Sequence, residues 1–193
     1  MSVESILETY PRKVTLKNET TCLLRPLQSN DARALNDFFL SLHVIELIYM
    51  KHRVTDQAVT RGWCKNIDYG HNFPLLAIVE DKIIGIATLH QQLGGWKRHI
   101  GRVSVHVRPQ YRGVGLGRLL VTELLEIARQ YSLQRVEAEF FSEQETAIKM
   151  FAKLGFEELA RIPEYVQDMQ AVMHDYILMA LDLKTNEEYA GMG

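Results

Sequence analysis

Apolar residues along this chain follow two periods. The clearest is helical. Leu116, Leu119, Leu120, Leu124, Ile127 and Ala128 fall on one stripe, with Arg118, Thr122, Glu126 and Arg129 outside it, which predicts a helix over residues 115–130. A second helix is predicted over 29–42, capped at Ser29 or Asn30, with Leu35, Phe38, Phe39 and Leu42 on one face. A weaker one over 55–66 is interrupted by Gly62. Short apolar runs bounded by polar turns predict strands. These are a hairpin over 14–24 turning at Lys17-Asn18-Glu19, strands 75–79 and 83–89 joined by Glu80-Asp81-Lys82, and a long strand over 99–107. Residues 135–141 form the next strand. Ser142 and Glu145 then read as a capping box for a helix through Lys153, stopped by Gly155 in the left-handed region. Strands 156–161 and 176–183 close the pattern. This order implies an α+β fold: a central, mostly antiparallel mixed sheet of about six or seven strands with helices on both faces. The reading is one domain over 1–183 and a polar C-terminal tail over 184–193.

Composition narrows the class. With 193 residues, 47% hydrophobic and 24% charged, the chain is long enough for one real core. A formal net charge of −2 gives no bulk attraction to nucleic acid or to an anionic membrane. Cys22 and Cys64 are far apart and lack metal-ligand spacing, so both read as reduced core residues. The N-terminus lacks a signal-peptide pattern and no apolar run reaches membrane-spanning length, which makes a cytoplasmic protein the expectation.

Candidate chemistry concentrates in residues 98–120, RHIGRVSVHVRPQYRGVGLGRLL. A strand carrying Val103, Val105 and Val107 enters a turn, Arg112-Gly113-Val114-Gly115-Leu116-Gly117, and the turn enters the best-predicted helix. Glycines allow backbone N–H groups to approach a ligand, and a helix N-terminus offers unpaired N–H groups and a positive dipole end. Together they form a diphosphate cradle, with Arg112 and Arg118 adding charge. The dinucleotide spacing G-x-G-x-x-G is absent, as is the Gly-Lys-Ser/Thr ending of a P-loop.

The pattern R-x-x-G-x-G, filled by Arg112, Gly115 and Gly117, resembles the diphosphate loop of the GNAT superfamily of N-acetyltransferases. A second block is similar to that family's closing segment: residues 138–144, then Ala147 to Phe151, then Leu154-Gly155-Phe156. Leu24-Arg25-Pro26-Leu27 with Asp31 and Phe38-Phe39 is similar to its opening, closest to domains that modify protein lysines. The resemblance implies acetyl-CoA as co-substrate, with the diphosphate held over Arg112, Gly113, Val114, Gly115, Leu116, Gly117 and Arg118. It places the pantetheine arm along Val105 to Val107, and puts Gln144 where relatives carry a cofactor-contacting asparagine. The acceptor implied is a primary amine of a protein lysine or a small molecule, acetylated in a ternary complex by a monomer or homodimer.

Where relatives place a glutamate base early on the central strand, this chain has Gly101 and Arg102. The substitutes are Glu139 first and His106 second, with Glu137 and His90 behind them. A histidine base is poised near neutral pH, whereas a glutamate needs its pKa raised by burial or acts through water. The family's tyrosine acid is replaced by Phe151; Tyr165 and Tyr176 are candidate replacements that read first as packing residues. These departures leave a second reading, a catalytically impaired acyl-CoA-binding regulatory domain. The histidines lack the spacing of a metal set, and the arginines of 98–118 lack the interleaved aromatics of a nucleic-acid surface.

Overall fold

Eight strands form one sheet in the order β1-β2-β3-β4-β5-β6-β8-β7, in a computed structural model that describes residues 2–183. The strands are β1 Arg12–Thr15, β2 Thr21–Pro26, β3 Asn72–Val79, β4 Lys82–Gln91, β5 Ile100–Val107, β6 Arg135–Phe141, β7 Glu157–Gln167 and β8 Met173–Asp182. Every neighbouring pair is antiparallel except β5 and β6. The helices are α1 Val3–Leu7, α2 Ala32–Leu40, α3 Val44–Ile48, α4 Gln57–Lys65, α5 Leu116–Gln130 and α6 Glu145–Lys153. The sheet has eight strands rather than six or seven, because both arms of the hairpin expected over 14–24 join it, β1 as the edge along β2. The tail expected over 184–193 lies outside the described residues.

Strand alternation sends side chains to two cores. On one face Leu75, Val103, Val136, Ala138, Phe140, Ile177 and Met179 pack with the apolar stripe of α5 and with Phe151 of α6. That stripe is wider than expected, since Val121 and Leu125 are also buried. On the other face Leu76, Ile83 and Ile86 pack with Leu35, Phe38 and Phe39 of α2 and Cys64 of α4. Phe151 is wedged between Phe140 and Phe156, ring centroids 5.1 and 4.9 Å apart, and is 1% exposed.

Local signals were met unevenly. Gly155 takes φ +93°, and Phe156 N–H bonds back to Phe151 O at 3.1 Å, a left-handed stop as expected. The capping box at Ser142 is corrected: Ser142 Oγ bonds Glu143, the N-cap is Gln144, and the Gln144 side-chain oxygen accepts from Phe141 N–H at 2.9 Å. The cap of the second helix is likewise not Ser29 or Asn30. A short 3-10 turn over Ser29–Asp31 precedes α2, and the buried Asp31 carboxylate accepts from Gln28 N–H while paired with Arg25 at 2.6 Å. Gly62 does not interrupt α4, which runs from the N-cap Asp56 to Lys65.

Beyond its backbone ladder with β6, the β7–β8 hairpin is tied to the segment before α6 by one histidine. His174 Nδ1 lies 2.9 Å from Glu143 Oε1 and Nε2 lies 3.0 Å from Asp168 Oδ2, and the ring meets Tyr49 and Phe141 edge-on. Only a protonated ring donates from both nitrogens. The hydrogen bonds to Glu143 and then Asp168 therefore raise its pKa, while the same bonds lower those of the two carboxylates. A raised histidine pKa adds stability below the unfolded value that is lost as pH rises through the folded one. The carboxylates give the opposite limit at low pH. The melting-temperature gap between wild type and His174→Gln is therefore expected to be widest at about pH 5 to 6 and to shrink as pH rises past about 6.5. A thermal-unfolding series that finds the same gap at every pH would contradict the charged clasp.

Candidate active site

The sheet comes apart at its centre. β5 and β6 pair only through Ile100↔Arg135, Gly101↔Val136 and Arg102↔Glu137. Beyond that point β5 continues on β4 as far as Val107↔Gly85, and β6 continues on β8 as far as Phe141↔Tyr176. Each strand is thus held from outside after losing the other. Gly101, in the middle of the three β5–β6 pairs, has no room for a side chain, since a Cβ there would lie 2.8 Å from the side chains of both Leu89 and Leu133. Arg108 N–H bonds Ile84 O at 2.9 Å, which sets the even residues of β5 in the bonded register with β4. The backbone groups of Val103, Val105 and Val107 are then turned into the opening. Two facing strand edges that no longer pair with each other leave room for an extended, amide-bearing chain as an added strand.

The glycine turn closes one end of this opening. Gly113 and Gly115 take φ +76° and +88°, conformations a side chain rarely adopts, and Gly115 is the N-cap of α5. The first-turn N–H groups of the 15-residue α5 point outward from there. Gly117 serves packing as well, since a Cβ would lie 3.2 Å from Met150 Sδ on α6. The turn is where the sequence leads one to expect a diphosphate, and the opening beside it is where it leads one to expect the pantetheine arm of a CoA thioester. Arg112, however, does not point its charge at the turn. Its Nη2 lies 2.7 and 2.8 Å from the two carboxylate oxygens of Glu46 on α3, and Nε and Nη2 each donate to Val107 O at 3.0 Å.

On the α2–α4 face, polar side chains meet around Glu139 at the mouth of the opening. Its carboxylate lies 2.5 Å from Lys51 Nζ and 3.3 Å from Arg102 Nη1, and accepts from Tyr176 OH at 3.1 Å. Burial pushes its pKa up, but the Lys51 hydrogen bond and the Arg102 and Lys51 charges outweigh that, so it is lowered and Glu139 is ionised. The raised pKa expected of a glutamate base is not present. Tyr176 is correspondingly pushed up, by burial and by the neighbouring Glu139 charge. It bonds this carboxylate rather than merely packing. Glu137 is buried beside it with Lys97 at 3.6 Å. His90 bonds Asn72 at 2.6 Å, and burial, then the Arg102 and Lys51 charges, push its pKa down to about 4. His106 lies nearer the glycine turn, its ring against Phe39, and burial likewise pushes it to about 4. No hydrogen bond joins His106 to Glu139 among the described residues. Gln144 gives its side-chain oxygen to Phe141 N–H, leaving its amide protons available.

Sequence reasoning missed Lys51, which follows a five-residue helix too short to show a stripe. It also missed the pairing of Arg102 with Glu139. The one available signal was the unusual arginine at the strand position where a carboxylate is customary. Among the described residues no three His, Cys, Asp or Glu side chains gather as a metal set, and no helix is long and apolar enough to cross a membrane.

Residues 38–156 match the model of the acetyltransferase (GNAT) family, and the chain belongs to that family. Acetyl-CoA is the family's co-substrate. An L-amino acid N-acyltransferase of Escherichia coli (strain K12) is 30% identical over 97 residues, 48% of this chain and 55% of the relative. The L-methionine sulfoximine/L-methionine sulfone acetyltransferase of Salmonella typhimurium (strain LT2) is similar to the same extent. The chain spans about half the length of the curated relatives it matches. A Salmonella typhimurium acetyltransferase solved with acetyl-CoA superposes with a TM-score of 0.73 at 22% identity, over 86% of this chain and 96% of that one. The GNAT domain of S. lividans PAT gives 0.74 at 16%, over 89% and 96%. At these identities the two structures show the fold.

Replacing Gly115 by valine puts a β-branched residue at φ +88°, at a cost of about 1–3 kcal/mol, and pushes its methyl groups against the Lys17 stem, so the turn must change shape. Titration calorimetry on the folded variant is expected to show acetyl-CoA affinity reduced at least about tenfold, a loss of some 1.4 kcal/mol. Unchanged affinity in a folded Gly115→Val protein would rule out the turn as the diphosphate site.

Proposed function

We propose that this protein is an acetyl-CoA-dependent N-acetyltransferase whose acceptor is a small zwitterionic amine, a free amino acid or a close analogue. The observation that carries this reading is the mouth of the opening, where ionised Glu139 stands between Lys51 and Arg102. An amino acid brings both charges this cluster can answer. Its ammonium takes Glu139, and its carboxylate takes Lys51 and Arg102, whose fork suits a carboxylate. The names of the two curated relatives, both acting on amino acids or their analogues, support the same class. A lysine within a protein carries no carboxylate beside its ammonium, and so offers Lys51 and Arg102 nothing beyond the Glu139 carboxylate they already hold.

Acetyl-CoA, when bound, supplies an activated acetyl thioester. The chain's contribution is largely positional. The backbone edge of Val103, Val105 and Val107 holds the pantetheine arm, and an N–H there polarises the thioester carbonyl. Val114, Leu116, Gly117 and Arg118 carry backbone N–H groups toward the diphosphate, with Gly113 and Gly115 giving the turn its shape. The amine must lose a proton before its nitrogen attacks. Lys51 and Arg102 lower the ammonium pKa by like-charge repulsion, and Glu139 draws the ammonium in and passes its proton to water. A carboxylate held low in pKa is a weak base, so that relay, rather than direct abstraction, suits Glu139. His106, also a weak base, shapes the wall beside Phe39. The CoA thiol, with a pKa of about 8.5, leaves without needing an acid at Phe151.

Thiol release from acetyl-CoA should be measured over free amino acids, the matching amines without a carboxylate, and a lysine-containing peptide. Free amino acids are expected to exceed the matched amines in kcat/KM by at least about tenfold, the value of one charge-assisted contact. Arg102→Gln is expected to erase that preference while leaving acetyl-CoA affinity unchanged. Faster turnover of the peptide than of any free amino acid would overturn the acceptor class. Acetyl-CoA binding without thiol release from any acceptor would favour the regulatory domain instead.

A further inference from the structure

The diphosphate turn has a neighbour that precedes the family match over 38–156, the β1–β2 hairpin. Its tip is a defined turn. Leu16 N–H bonds Thr20 O at 2.9 Å, Glu19 N–H bonds Leu16 O at 3.0 Å, and Thr20 N–H reaches the Asn18 side chain at 3.3 Å. This tip touches the glycine turn directly. Lys17 N–H points at Val114 O, 3.4 Å away, and the Lys17 side chain runs across Gly115. A Cβ built on Gly115 would lie 3.6, 3.7 and 3.8 Å from Lys17 Cε, Cδ and Cγ.

The charge balance of the turn makes this contact consequential. The family pattern leads one to expect Arg112 as the cation beside the phosphates. Here its guanidinium is held by both oxygens of Glu46 and by Val107 O, on the side facing α3. Arg118 stands exposed in the first turn of α5. Lys17 is exposed too, and no carboxylate pairs with it among the described residues. Its methylenes pack on the side of Gly115 that a Cβ would occupy, which seats the lysine against the turn while the residue stays exposed.

We infer that Lys17 is a cofactor-binding residue, supplying from the N-terminal hairpin the diphosphate-directed charge that Arg112 gives to Glu46. The inference rests on acetyl-CoA being the co-substrate. It predicts that the hairpin closes over the bound diphosphate, and that its lysine acts as a point charge and not as a packing element.

The test is titration calorimetry of CoA into the full-length protein and two variants, at low and high salt, with thermal unfolding as the control for folding. Lys17→Gln is expected to weaken CoA binding about fivefold at low salt, and Lys17→Arg to stay within about twofold of wild type. The glutamine penalty should shrink at high salt, as an exposed ammonium–phosphate contact requires. It should persist with 3′-dephospho-CoA, because the lysine lies over the turn that takes the diphosphate. Unchanged affinity in Lys17→Gln would overturn the inference. So would a penalty insensitive to salt, which would mark a structural role, or one that vanishes with 3′-dephospho-CoA, which would assign the lysine to the 3′-phosphate. Wild-type protein that binds no CoA would overturn the cofactor reading itself, and with it the role given to Lys17.

Discussion

The parting of β5 from β6 is the constraint on which the rest of this molecule depends. A parallel pair within an otherwise antiparallel sheet needs a crossover between its strands, and here α5 provides it. The crossover begins at the glycine turn. One topological requirement therefore puts a helix N-terminus at the end of an unpaired strand edge. Three paired residues hold the strands together at one end, and β4 and β8 hold them apart beyond it. Buried backbone groups without partners are costly, so such an edge persists only where water or a ligand satisfies it.

Around that opening the walls are tied to one another through α3, a helix of five residues that can contribute little stability by itself. It is pinned at three places. Glu46 takes Arg112 from the glycine turn, Ile48 O accepts Met169 N–H from the β7–β8 hairpin at 3.0 Å, and Lys51, just past its end, takes Glu139 on β6. The wall of the proposed acceptor mouth is thus assembled from long-range contacts, two of them between charged groups. Arg112 joins the two halves of the site: it caps the carbonyl of Val107 at the end of the cofactor edge and fixes the helix that delivers Lys51. Exposed ion pairs of this kind are individually weak, so the geometry of the mouth depends on several acting together.

What could be read from the chain follows from how local each feature is. The strand into α5 was legible because the glycine turn and the stripe from Leu116 to Ala128 lie side by side in sequence. Gly155 was legible for the same reason, since a left-handed stop acts within one turn. The long edge strand β7 was read only as far as Arg161, because most of its residues are exposed and no apolar alternation marks it. The apparent capping box at Ser142 had the right spacing but the wrong start, as Gln144 turns back to Phe141 and the helix begins after it. The candidate site was half legible. Its proposed cofactor side is carried by backbone in one continuous segment. Its acceptor side is built by residues as far apart as Lys51, Arg102, Glu139 and Tyr176. The direction of Arg112 was illegible in principle, because its partner Glu46 is 66 residues away.

Amide hydrogen exchange of the full-length protein, measured residue by residue with and without acetyl-CoA, tests the role of the strand edge most directly. The account predicts new protection at Val105 and Val107 together with Leu116, Gly117 and Arg118, the first set from an added extended chain and the second from diphosphate. Acetyl-CoA that protects the glycine turn while leaving Val105 and Val107 unchanged would contradict the claim that the opening between β5 and β6 receives the pantetheine arm.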